Sequence, residues 1–235
     1  MSASLSVNET VSLVKLAWRA AGYPWSIASE AGYAVGWLEQ RELPGAQLAS
    51  ALVNDLDAIS FDRLKPAEGS ITAGNCWRST GSALCPVMSG LTLADYSGAF
   101  EPEQRVQLAD VYGPCLLLPF LNRLQRINGS VITLEWDRVC AYVLDGECYV
   151  RLKSRESLWL CLSEPAPVNV SVSFTRQITA DELSGYGRCI VSAVPRCHVD
   201  QSDLLNLRQY AHRTYAPATD SSRISGAGAG MTDND

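Results

Sequence analysis

Arg223 followed by Gly226, Gly228 and Gly230 is the grouping in this chain of 235 residues whose types and spacing best describe a ligand pocket. A guanidinium takes a carboxylate or phosphate through two parallel hydrogen bonds. Alternating Gly and Ala free the backbone at positive φ, so that successive N–H groups can face the remaining oxygens. The run is neither a P-loop nor a dinucleotide turn, because those feed a helix N-terminus and only five residues follow Gly230. Two other readings of the same residues stay open: a tail that threads into a partner subunit, and a plainly solvated end.

A second grouping lies near the start. Ala28, Gly32 and Gly36 recur at i, i+4, i+8 on a helix expected from about Trp25 to Gln40, with Glu30, Tyr33 and Trp37 beside them. Each Gly costs about 1 kcal/mol relative to Ala in a helix interior, so something must compensate. Either the strip packs closely on Ala17, Ala20 and Ala21 of the preceding helix, or it lets a ligand or partner approach the backbone. In the second case Glu30 is the candidate base, and Trp25 with Trp37 mark a docking surface.

The remaining polar chemistry is sparse. With only His198 and His212, a three-histidine metal site and H-E-x-x-H are both excluded. Cys197 and His198 are adjacent on an extended segment and point to opposite faces, which reads as structural. His212-Arg213 complements the dipole at the end of the last helix. No nucleophile elbow surrounds Ser79 or Ser82. Cys76 and Cys85 bracket a polar loop in which Arg78 could lower a thiol pKa, against the plainer reading of inert thiols. None of the eight cysteines forms C-x-x-C, so no metal site is assigned, and no cofactor follows from the sequence.

The elements that must position these residues read as an α+β fold in a single domain, residues 1–235. Residues 6–57 give a helical hairpin plus a third helix. Ser6 with Glu9 is a capping box, Val7, Val11, Val14, Trp18 and Ala21 form the apolar stripe of the first helix, and Gly22-Tyr23-Pro24 punctuates the hairpin. Pro44 opens the third helix, ridged by Leu48, Leu52 and Leu56. Over 70–195 the period shifts towards two, giving a central antiparallel meander with a hairpin at Asp145-Gly146. Leu116–Leu124 reads as a buried strand or a short helix, Pro119 weighing against a central strand. A helix over 200–215 and a Gly-rich tail over 217–235 complete the chain.

The stretch Ala20–Leu38, read together with Arg213–Thr219, Ser222-Arg223 and Gly226–Gly230, resembles a bacterial family known only as a domain of unknown function. The resemblance extends over the whole chain and implies that the glycine-rich end is ordered. Where that family carries Ala-Glu-Glu-Ala-Gly this chain has Ala28-Ser29-Glu30-Ala31-Gly32, so Glu30 alone is carried over. No activity comes with the resemblance.

A net charge of -6 and the absence of a dense Lys/Arg cluster speak against nucleic acid and anionic membranes. No apolar stretch is long enough to span a bilayer. The opening residues alternate polar and apolar and include Glu9, unlike a secretory signal, so the chain is expected to be cytoplasmic with reduced thiols. The function expected is binding of a small anionic metabolite, as an enzyme or an enzyme's subunit. The alternative is a non-catalytic accessory subunit, with a protein partner or a second copy of the chain docking on it.

Overall fold

The computed structural model describes residues 2–57, 59–72, 74, 76–101, 103–152, 162–175, 187–189 and 194–215. Strand β1 (Ser2–Ser6) runs straight into α1 (Val7–Ala20), because Ser6 closes a capping box. The Glu9 N–H donates to Ser6 Oγ (3.2 Å), and the Ser6 N–H donates to the Glu9 carboxylate (2.7 Å). Gly22, with φ 98°, ends the helix, and Pro24 precedes α2 (Trp25–Glu39). Helix α3 (Gly45–Leu56) follows and buries Leu48, Leu52 and Leu56.

The two helices of the hairpin meet at Gly32 and Gly36. A Cβ on Gly32 would sit 2.8 Å from the Val11 carbonyl oxygen, and one on Gly36 would sit 2.6 Å from Val11 Cγ2. Close packing therefore accounts for the glycines, but their partners are Val11 and Val7 rather than Ala17, Ala20 and Ala21. In an antiparallel hairpin each turn further along α2 faces a turn further back along α1. The glycines lie too far from the Gly22 bend to reach the alanines beside it.

Beyond α3 the chain carries α4 (Glu68–Thr72), β2 (Cys76–Trp77), α5 (Pro86–Asp95), β3 (Arg105–Val111) and α6 (Leu118–Asn128). The strands β4 (Val131–Trp136), β5 (Val139–Leu144), β6 (Glu147–Leu152), β7 (Val168–Thr175) and β8 (Gly187–Cys189) come next. They form a seven-stranded sheet in the order β2-β3-β7-β4-β5-β6-β8, antiparallel throughout except for β2 beside β3. Asp145 and Gly146 both take positive φ, 51° and 78°, so the expected two-residue hairpin joins β5 to β6.

Val106, Leu108, Ile132, Leu134, Ala141, Val143, Val170, Val172 and Phe174 are buried on the strands and join the core shared with α5 and α6. Leu116–Leu124 resolves the alternative left open by the sequence. A 3-10 turn (Pro114–Leu117) leads into α6, and Pro119 lies in its first turn, where a missing N–H costs nothing. The stretch from Ser70, strand-like by its period, thus also holds α5 and α6.

Two elements close the fold. Strand β9 (Arg196–Asp200) pairs antiparallel with β1, residue by residue from Ser2 opposite Asp200 to Ser6 opposite Arg196. Helix α7 (Gln201–His212) then packs on α1 and α3. Asn206 Nδ2 donates to the Ser50 carbonyl (2.9 Å), and Arg213 takes Asp57 through two bonds of 2.9 Å. Among the described residues no helix is long and apolar enough to cross a membrane.

The Gly32 contact fixes the sign of a substitution. Gly→Ala in a helix interior ordinarily stabilises by about 1 kcal/mol. Gly32→Ala is expected to destabilise instead, by about 1 to 3 kcal/mol, since the methyl meets backbone rather than a movable side chain. Gly69→Ala, where the added atom meets nothing within 4 Å, serves as the control. Urea unfolding of both variants against the parent checks this; a more stable Gly32→Ala contradicts the packing account.

Candidate functional site

Helix α3 starts in a place where its first N–H groups are hard to satisfy. Gly45 and Ala46 are buried, and Pro44, at the N-cap position, has no side-chain oxygen to offer. The partner comes from the last turn of α2: the Ala46 N–H donates to Glu39 Oε1 at 2.7 Å. Glu39 is only 8% exposed. Burial, with some help from the Asp203 carboxylate, pushes its carboxyl up to about 7, against the pull of the Ala46 and Gly45 amides. Near neutral pH this group therefore exchanges a proton readily.

The link between α2 and α3 is a tight reversal of the Schellman type. The Leu43 N–H donates to the Leu38 carbonyl (3.0 Å) and the Glu42 N–H to the Glu39 carbonyl (3.0 Å). The residue in the left-handed position of this motif is usually glycine, yet here it is Glu42, with φ 55°. A side chain there costs about 1 kcal/mol.

Facing this turn is the segment leading into β9. The Val194 N–H donates to the Gln40 carbonyl (3.1 Å) and ties the two segments together. Along β9 the side chains alternate: Cys197 and Val199 are buried, whereas Arg196 and His198 point the other way. Arg196 is braced by β1, its Nε donating to Ser4 Oγ (2.7 Å) and one Nη to the Ser4 carbonyl (2.9 Å). Between turn and strand lies a cavity of about 380 Å³. Leu43, Val194 and Pro195 supply its apolar lining, Glu39 and Glu42 an acidic wall, and Arg196 and His198 a basic one. Its size and mix of lining are those of a small-ligand site.

Of the residues singled out in the sequence, His198 lines this cavity, whereas Glu30, Trp25, Trp37 and His212 lie elsewhere. Glu30 makes an ion pair with Arg123 of α6 at 2.9 Å, and the guanidinium lies 4.6 Å from the centre of the Tyr33 ring. That cluster joins α2 to α6, and Glu30 does not line the Glu39 cavity. Arg223, Gly226, Gly228 and Gly230 lie outside the described residues. Trp25 is 52% exposed, with Lys15 and Arg19 each 5.6 Å from its ring centre, whereas Trp37 is buried under Arg41. His212 closes α7 and stacks edge-on with Tyr215.

Cys85 is buried and pushed up to about 11 by that burial, so it is no nucleophile. Cys197 is likewise raised by burial. The Cys76 thiol is exposed beside Arg78. Cys85, Cys115, Cys140, Cys148 and Cys197 are buried, whereas Cys76 is exposed.

Glu39 and Arg196 were missed, and His198 was read as structural, for different reasons. An acidic residue at the end of a helix reads as solvated unless the next helix is known to bury its own start against it. Arg196-x-His198 after Pro195 is an i, i+2 pair on a strand face, a signal hidden by attention to the adjacent Cys197.

Residues 5–84 match the family described as "Protein of unknown function (DUF3726)". The match covers the end of β1, the helical hairpin, α3, α4 and β2, and thus the Glu39 turn but not β9. The resemblance drawn at the N-terminal helix pair is within it, while the glycine-rich end lies outside. No curated protein and no solved structure matches the chain.

The raised Glu39 carboxyl predicts a particular pH dependence. Between its ordinary value of 4.5 and about 7 the folded chain holds a proton that the unfolded chain has released. Stability from this group is therefore complete below 4.5 and falls as pH rises through 7, by at most about 3 kcal/mol. Glu39→Gln removes this slope. Denaturant unfolding of parent and variant at intervals from pH 4.5 to 7.5 should show the parent losing its advantage; a constant difference would mean that Glu39 ionises normally.

Proposed function

We propose that this chain binds a small organic anion in the cavity between the α2–α3 turn and β9, as an enzyme or an enzyme's subunit in small-molecule metabolism. The observation that carries the reading is a buried carboxyl, poised to exchange a proton near neutrality, on the wall of a cavity whose other wall presents Arg196 and His198. Arg196 and His198 would orient the anion. Glu39, its Oε1 held by the Ala46 amide, would take up or deliver a proton at the bound molecule. The Arg223 and glycine segment would supply a further anion contact. Cys85 and Cys197, both buried thiols, support a reducing, cytoplasmic compartment.

A second reading, as a non-catalytic subunit, is favoured by the exposed Trp25 with its two flanking cations. It predicts a stoichiometric partner lost on Trp25→Ala.

Thermal-shift screening of the full chain against carboxylate and phosphate metabolites at neutral pH tests the preferred reading. Stabilising compounds are expected whose effect disappears in both Arg196→Gln and His198→Ala. Glu39→Gln should keep binding but lose its pH dependence. Shifts that survive both β9 substitutions overturn the assignment.

A further inference from the structure

The polar groups of the cavity are segregated by element. Both carboxylates, Glu39 and Glu42, come from the α2–α3 turn, and both basic side chains, Arg196 and His198, come from β9. A ligand that is only an anion would meet Arg196 at one end and two acids at the other. A ligand that is only a cation meets the reverse conflict. Either arrangement leaves a charged wall facing its own sign, across a cavity whose remaining lining among the described residues is apolar.

Glu42 sharpens the point. Its backbone holds the left-handed conformation that the reversal ordinarily gives to glycine, and among the described residues no hydrogen bond or ion pair engages its carboxylate. The fold gains nothing from a glutamate at this position, since the Schellman bonds are made by backbone atoms alone. An acid placed there against the local conformational preference, exposed and lining the cavity, fits a role towards a ligand. Arg196 is different: two of its donors are used on Ser4, which fixes its direction and leaves Nη1 with no protein acceptor among the described residues. The basic wall is pre-oriented.

We infer, on the strength of the small-molecule reading above, that the ligand is dipolar, an amino-acid-like molecule that sets an ammonium group against Glu39 and Glu42 and an acid group against Arg196 and His198. Glu42 is then the residue that selects for the amine, and Arg196 the residue that selects for the acid. Leu43, Val194 and Pro195 would cover the carbon chain between the two charges.

The test uses the full chain and three matched probe series: straight-chain ω-amino acids from glycine to 6-aminohexanoate, the monocarboxylates of the same lengths, and the corresponding monoamines. Calorimetric titration at neutral pH is expected to find at least one amino acid bound tenfold or more tightly than the acid and the amine of its own length. Glu42→Gly should melt at or above the parent temperature, because it relieves the left-handed backbone, and should erase that tenfold preference. Arg196→Gln should weaken the amino acid and the monocarboxylate alike. Monocarboxylates binding as tightly as the amino acids would overturn the dipolar inference and leave the anion reading standing. Binding by none of the three series would overturn the dipolar inference, while the anion reading would still be judged by the carboxylate and phosphate screen. A Glu42→Gly variant that keeps the preference would also overturn the inference, since the acidic wall would then not be read.

Discussion

The start of α3 is buried, preceded by a proline, and still has backbone N–H groups that need an acceptor. That requirement draws the Glu39 carboxyl out of water and under the turn, and much of the surrounding geometry follows from it. The reversal between α2 and α3 must be tight enough for a side chain in the last turn of one helix to reach the first N–H groups of the next. Leu43 is therefore pulled into the core, 2% exposed, and Glu42 is pushed into a left-handed backbone. A carboxyl placed this way is stabilised as the neutral acid by its burial and as the anion by the amides. The balance leaves it near the middle of the physiological range.

The second wall depends on contacts made across almost the entire chain. Strand β9 takes its register from β1, and Ser4 of β1 fixes the Arg196 guanidinium. Helix α7, leaving β9, packs on α1 and is tied to α3 and its end through Asn206 and Arg213, so the strand and the turn that share the cavity are held by one set of helices. Chemistry-bearing residues from positions 39–42 and 196–198 meet because the first and last described strands form a ribbon. The residues between them contribute the sheet and its helical cover.

What the sequence made legible was local. The capping box at Ser6, the bend at Gly22, the two-residue turn at Asp145 and the α+β class obey rules that operate within a few residues. The expectations that changed depended on distant partners. Ser2–Ser6 is too short to read as a strand without Arg196–Asp200 beside it. Helix α5 escaped because Ser89, Gly90 and Thr92 weaken its helical signature, and Gly90 is there for a reason outside the helix: a Cβ would come within 2.5 Å of the Phe120 ring on α6. The hairpin glycines were legible as a packing device, but the residue they accommodate followed only from the helix register. Glu30 is the expected base because it flanks that strip; in the fold it is paired with Arg123, while Glu39, at the other end of the same helix, is a buried acid that lines a cavity.

The central claim is that Glu39 is a proton-exchanging group on a ligand cavity rather than only a cap for α3. Carbon-13 NMR of the Glu39 side-chain carboxyl, followed through a pH titration of the full chain, measures this directly. A titration midpoint near 7 is the result expected from its burial. A midpoint at the ordinary value of 4.5 would show the carboxyl to be ionised throughout the neutral range, and would contradict the account.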